Sequence, residues 1–215
     1  MNIPFKIKYD NDYEIVKGSV KTGIFILKNV ISEHDRKSFI DAIDKYSGEK
    51  EEIAGFNNVH KSTCFIEDIE DSTTREKIEN KLDFMLSVVR NRMSKYTACK
   101  PDLYESVEMR KIHGPTRYHV DGLTAGGTTD TEPKYAPQNL RCLSVIIAIN
   151  GDYKGGEFIF PHQNVQIKLK AGEAIVFPPY WTHPHGTNDV HDTLRYTITS
   201  WFTGSTVNLT HHLPS

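Results

Sequence analysis

The stretch Gly172-Glu173-Ala174-Ile175-Val176-Phe177-Pro178-Pro179-Tyr180-Trp181-Thr182-His183-Pro184-His185, with Arg195-Tyr196-Thr197-Ile198-Thr199-Ser200-Trp201-Phe202 beyond it, decides the fold. A turn glycine opens a run of apolar, β-branched residues, and a proline pair closes it. That is the pattern of a short strand. The second run alternates. Tyr196, Ile198 and Phe202 share one face, and Arg195, Thr197, Thr199 and Trp201 the other. The first face predicts packing under a helical layer. The second, charged and hydroxylated, suits a ligand cavity better than a dry core.

Working outward, residues 143–149, 157–160 and 165–169 repeat the short-strand pattern, with turns at Gly155-Gly156 and Ala171-Gly172. Many short strands joined by glycine and proline turns predict an antiparallel barrel or jelly roll. Upstream, residues 24–27 form a strand signal. Ser32 and Asp35 look like a helix start, with Phe39, Ile40, Ile43 and Tyr46 at helical spacing and Gly48 as its close. A second helix begins near residues 71–74 and carries the stripe Ile78, Leu82, Met85, Leu86, Val89 and Met93, ending before Pro101. The fold class is therefore mainly β with covering helices. We expect a single domain over 1–215, with a helical support region over 1–100 and a jelly-roll core over 101–205.

The chain has 215 residues and a net charge of −2, with basic and acidic groups interspersed. No bulk field draws it to nucleic acid or membrane, and neither partner is expected. Its three cysteines are odd in number and far apart, which excludes a disulfide framework and a Cys-x-x-Cys zinc site. The N-terminal stretch has no signal-peptide pattern and no segment reaches the length of a membrane span, so the expected setting is reducing and cytoplasmic.

His119-Val120-Asp121 places an imidazole and a carboxylate two residues apart, which on a strand puts both on one face. Two histidines and one carboxylate leave three metal positions open, the facial arrangement of non-haem iron(II) oxygenases. A bidentate 2-oxo acid and then dioxygen can fill them. With ten histidines in the chain, an H-x-D pair alone carries little weight. The order of the residues downstream adds to it. Both His183 and His185 are available as the second imidazole, and two-residue spacing puts them on one strand face. Arg195 offers a planar fork that matches a carboxylate. If His185 and Arg195 lie on adjacent strands, they face each other across a hairpin centred near Val190.

The ordered set H-x-D, R-x-L-S-x-I-I-A-I-N (residues 141–150), G-G-E-F-I-F (155–160), G-E-A-I-V-F-P (172–178), T-H-P-H-G and R-Y-T-I-T-S-W resembles the prolyl 4-hydroxylase-like branch of the 2-oxoglutarate oxygenases. The T-H-x-H run before R-Y is also similar to lysyl hydroxylase catalytic domains. The resemblance spans about residues 105–203. It implies a double-stranded β-helix, the jelly roll under another name. It implies iron(II) held by His119, Asp121 and a C-terminal histidine. The interval of ten to Arg195 selects His185, leaving His183 behind it or beside the substrate. It also implies Arg195 on the distal carboxylate of 2-oxoglutarate, and O2 as oxidant, with ascorbate as a further candidate cofactor. The implied activity is hydroxylation of a prolyl or other side chain of a peptide or protein, with release of succinate and CO2. Asp121, rather than alanine or glycine, favours hydroxylation over halogenation.

The sequence departs from the family at two places. The tyrosine expected upstream of the H-x-D is absent from residues 109–115, and the middle-strand tyrosine is matched by Ala148. Tyr118, Tyr104, Ser144 and Thr197 are the candidates for the second cofactor contact. Residues 122–139 form a long aperiodic stretch, read either as a lid or as a surface loop. Tyr180 and Trp181 are either rim aromatics for a substrate or sheet packing. Two other readings stand beside the peptide hydroxylase. One is the same chemistry on a small molecule such as a free amino acid, nucleotide or metabolite. The other is a metal-binding jelly roll without oxygenase activity, against which Arg195 argues.

Overall fold

A computed structural model describes residues 13–15, 22–48, 51–52, 60–97, 101–122 and 141–204. The stretch read as a lid lies outside them except for Gly122, as do Cys99 and the tail histidines. Along the chain come β1 (Tyr13–Ile15), β2 (Phe25–Leu27), α1 (Glu33–Tyr46), β3 (Glu51–Glu52), β4 (His60–Cys64) and α2 (Ser72–Met93). Then follow β5 (Pro101–His113), β6 (Thr116–His119), β7 (Arg141–Ala148), β8 (Lys154–Gly155), β9 (Phe158–Phe160) and β10 (Val165–Ile167). The last are β11 (Ala174–Phe177), β12 (His185–Thr187), β13 (Val190–His191) and β14 (Arg195–Gly204). No helix among the described residues is long and apolar enough to cross a membrane.

An eight-stranded sheet runs β1-β2-β11-β7-β14-β5-β4-β3, and a four-stranded sheet runs β10-β9-β12-β6. A two-stranded ribbon of β13 and β8 stands beside them. All pairings are antiparallel. The large sheet takes β1 to β4 from the first hundred residues, so that region supplies strands as well as helices.

The helices start where the sequence places them. The Ser32 hydroxyl accepts the Asp35 amide at 3.1 Å, and the Asp71 carboxylate accepts the Thr74 amide at 2.8 Å. The first helix closes at Ser47 rather than Gly48. Phe39, Ala42 and Ile43 from α1, and the full stripe from Ile78 to Met93 of α2, are buried. They pack on the outer face of the large sheet against Met109, Leu143, Val145, Ile147, Ile198 and Phe202.

From Leu143 onward strand β7 is apolar except for Ser144, because both faces are covered. Leu143, Val145 and Ile147 point to the helices. Ile146 and Ala148 point inward, to a second core with Ile175, Phe177, Phe158 and Phe160. Strand β14 behaves as its alternation predicts: Ile198 and Phe202 join the helix-side core, while Arg195, Thr197 and Thr199 are buried on the other face. Gly155 and Gly156 make the turn before β9 with φ of +69° and +70°. A side chain at Gly155 would meet the Asp189 carbonyl at 1.8 Å. Only glycine fits there.

Candidate iron and 2-oxoglutarate site

His119 ends β6, and His185 begins β12. The two are register partners in the small sheet, with ring centroids 4.5 Å apart. Asp121 falls past the end of β6 rather than on it. Its amide donates to the Pro179 carbonyl at 2.9 Å, and that turn aims the carboxylate back at the histidines. Asp121 Oδ1 lies 3.2 Å from His119 Nε2, and Oδ2 lies 3.8 Å from His185 Nε2. One ligand atom from each of the three residues lies within 4.8 Å of the others. That donor set, two imidazoles and one carboxylate on one side, fits a non-haem iron(II) ion.

The imidazoles are oriented for this. His119 Nδ1 is 2.9 Å from the Arg117 carbonyl, and His185 Nδ1 is 3.2 Å from the His183 carbonyl. A carbonyl only accepts, so Nδ1 carries the hydrogen and Nε2 turns to Asp121. Ser144, wholly buried on β7, donates its hydroxyl to Asp121 Oδ2 at 2.6 Å. Arg141 Nη1 donates to the Asp121 carbonyl at 2.7 Å, with its guanidinium 4.0 Å above the Trp201 ring. Both residues stand in the R-x-L-S run at 141–144, but the sequence does not show that their partner is Asp121.

Charge follows from these contacts. Burial resists ionisation of Asp121, but His119, His185 and Ser144 outweigh it and hold the carboxyl well below its usual range. Burial between Phe160, stacked at 5.6 Å, and Phe177, edge-on at 4.6 Å, pushes His185 down to about 4 despite the Asp121 charge. Burial also works against the His119 imidazolium, but Asp121 and the Arg117 carbonyl move it upward overall.

His183 does not join the cluster. It sits in the turn before β12, not on the strand, and its Nε2 contacts the Thr22 carbonyl at 2.5 Å. The shared strand face anticipated for His183 and His185 is therefore absent. The expected hairpin is absent too. Strand β12 belongs to the small sheet and β14 to the large one, with β13 between them in sequence. Arg195 meets the site from across the interior. Its Nη1 donates to the Gly156 carbonyl at 3.2 Å, Nη2 reaches Thr116 Oγ1 at 3.5 Å, and the Phe158 ring lies 5.5 Å away.

Arg195 is 3% exposed, its Nε has no partner, and no acid among the described residues pairs with it. A buried, unpaired guanidinium is costly and calls for an anion. Thr116 and His119 stand three residues apart on β6, about 10 Å along the strand. A five-carbon 2-oxo diacid that chelates at the histidines and ends at Arg195 fits this arrangement. Of the other candidates, Tyr104 is turned away to Asp83 on α2, Tyr118 is exposed, Ser144 is engaged by Asp121, and Thr197 stays on the inner face.

Sequence comparison agrees with this donor set. Residues 109–203 match the 2OG-Fe(II) oxygenase superfamily, a likeness that takes in less than half of the chain. Among individual proteins the likeness runs to prolyl hydroxylases. The chain is 27% identical over 136 residues to prolyl 3-hydroxylase 1 of Gallus gallus and 35% over 68 residues to prolyl 3-hydroxylase 2 of Homo sapiens. These alignments take in 60% and 29% of this chain but only 19% and 10% of those longer proteins. Among solved structures, the viral collagen prolyl hydroxylase of Paramecium Bursaria Chlorella virus-1 superposes with a TM-score of 0.58 at 17% identity, covering 85% of this chain and 96% of that one. A Trichoplax adhaerens prolyl hydroxylase in complex with a hypoxia inducible factor peptide gives 0.59 at 15% identity, covering 85% and 84%. At such identity these two establish the shared fold.

Proposed function

We propose that the chain, as one domain over 1–215, is an Fe(II)- and 2-oxoglutarate-dependent dioxygenase that hydroxylates a prolyl or other side chain of a peptide or protein. In this reading His119, Asp121 and His185 hold the iron and Arg195 grips the distal carboxylate of 2-oxoglutarate. The observation that carries it is the convergence of the three donor atoms beside β6, the strand whose Thr116 also meets a buried arginine that has no acidic partner among the described residues.

When bound, iron and 2-oxoglutarate supply the activation of O2: one oxygen atom enters the substrate C–H bond and the other enters succinate, with loss of CO2. The chain's own groups do the rest. The Nδ1–H groups of His119 and His185 anchor on carbonyls and keep Nε2 toward the metal. Ser144 holds one Asp121 oxygen, so the carboxylate presents the other. Phe160 and Phe177 keep water from His185. Arg195 fixes the direction of the 2-oxo acid.

A peptide substrate has two supports. One is the relatives' names. The other is the pair of exposed aromatics, Tyr118 and Trp181, on the two segments that carry His119 and His185. Such residues dock extended, proline-containing chains. Ascorbate as reductant and a cytoplasmic, reducing setting belong to the same reading, and the free thiol of Cys64 accords with it.

The test is anaerobic titration with Fe(II) and 2-oxoglutarate, followed by visible absorption. A weak charge-transfer band that needs both, and is lost in Asp121→Ala, is the expected result. Iron binding without the band would refute the assignment and leave a metal-binding jelly roll. Proline-containing peptides that gain one oxygen atom, in step with succinate release, would then identify the substrate class.

A further inference from the structure

Tyr153 lies in the turn Asn150-Gly151-Asp152-Tyr153-Lys154-Gly155-Gly156 that leads from β7 to β9, and it is 2% exposed. Its ring rests on Gly156, where an added Cβ would come within 2.9 Å of the ring. Gly156 is also the residue whose carbonyl receives Arg195 Nη1. One glycine thus backs both groups, and its φ of +70° keeps it glycine. From the other side Lys168 Nζ donates to the Tyr153 carbonyl at 2.5 Å and stands 4.8 Å from the ring centroid.

The phenol and the guanidinium sense each other. Burial brings Arg195 down to about 10, against which Tyr153 acts. Burial raises Tyr153, against which Arg195 acts. Among the described residues the Tyr153 hydroxyl has no hydrogen-bond partner, and Arg195 Nε has none either. The Tyr153 hydroxyl and the Arg195 guanidinium, backed by the same glycine and each with donor capacity to spare, form half of a carboxylate site.

We propose that the Tyr153 hydroxyl is the second donor to the distal carboxylate of 2-oxoglutarate, beside Arg195, in place of the tyrosines absent from residues 109–115 and at Ala148. The inference rests on the function proposed above and names a residue that carries no motif of its own.

The test is Tyr153→Phe, which removes one oxygen atom and keeps the ring. Calorimetric titration of the Mn(II)-loaded protein is to show 2-oxoglutarate bound about tenfold more weakly, the loss of one hydrogen bond to a charged acceptor. Mn(II) affinity and the melting temperature are to stay unchanged. So is the affinity for 2-oxobutanoate, which lacks the distal carboxylate. Equal 2-oxoglutarate affinity in Y153F and the unaltered protein overturns the inference, and so does equal loss for both acids, which would mark a packing role. A reading independent of any variant is the near-UV difference spectrum of the unaltered protein. It is to show a tyrosine perturbation with 2-oxoglutarate and none with 2-oxobutanoate, and its absence also overturns the inference. Failure of the unaltered protein to bind 2-oxoglutarate at all overturns the proposed function first, and is distinguishable because it needs no substitution.

Discussion

Ser144→Ala tests how the carboxylate of the cluster is held. The Ser144 hydroxyl lies 2.6 Å from Asp121 Oδ2, and Ser144 is fully buried. No water replaces the lost donor there without opening the strand. A hydrogen bond to a charged acceptor is worth about 1.5–3 kcal/mol. At about 1.4 kcal/mol per factor of ten, its loss corresponds to roughly 10- to 150-fold. The loss frees the carboxylate to rotate away from the Nε2 atoms, which weakens cation binding more than it weakens the fold. We therefore expect S144A to bind Mn(II) or anaerobic Fe(II) about 10- to 100-fold more weakly, in line with the usual effect of groups that orient metal ligands. Its melting temperature without metal is to fall by only a few degrees. The assay is metal titration at fixed pH with parallel thermal melts. Metal affinity within a factor of two of the unaltered protein would refute the reasoning, and a large fall in melting temperature with unchanged affinity would make Ser144 a packing residue.

Arg195→Met keeps the bulk of a buried chain and removes its charge. Because Arg195 has no anionic partner in the free protein, stability without cofactor is to hold or rise, while 2-oxoglutarate affinity falls by about 100-fold or more. Calorimetry and melts decide, and unchanged 2-oxoglutarate binding would assign the carboxylate to another residue. Metal affinity between pH 5 and 8 is to fall toward acid by about tenfold per pH unit below the raised His119 value. One proton must leave His119, whereas His185, held to about 4, is already neutral and Asp121 already ionised. A slope of two protons would show that His185 is charged as well. Gly186→Ala puts a Cβ 2.7 Å from the Thr116 carbonyl, between β12 and β6. It is to cost about 1–3 kcal/mol in urea unfolding and to weaken metal binding by disturbing the His185–His119 register. Normal stability together with normal metal affinity would show that the two strands tolerate separation.

The elements were legible wherever a local period encodes them. The stripe from Ile78 to Met93 states its own helix at three- and four-residue steps, and Asp71 caps it. Residues 195–202 state which side chains face the helices and which face the cavity, because period two is intrinsic to a strand. The pair His119 and Asp121 was visible as a spacing, and Arg195 as the one residue type whose fork suits a carboxylate. Those readings depend only on neighbours along the chain.

What the tertiary structure decided is which of these groups meet. His183 and His185 are equivalent by spacing. The turn at residues 180–183 and the start of β12 separate them, sending one to the Thr22 carbonyl and the other to His119. Arg195 reaches Thr116 on β6 from the opposite sheet, not across a hairpin, because the chain leaves the small sheet after β12 and returns in the large one. Ser144 finds Asp121, and Tyr153 and Arg195 come to share Gly156, only once β7 has been paired between β11 and β14. Local sequence sets which way a side chain points from its own backbone. The partner it points at is set by strand order and register, which come from burying two apolar faces of one sheet at once.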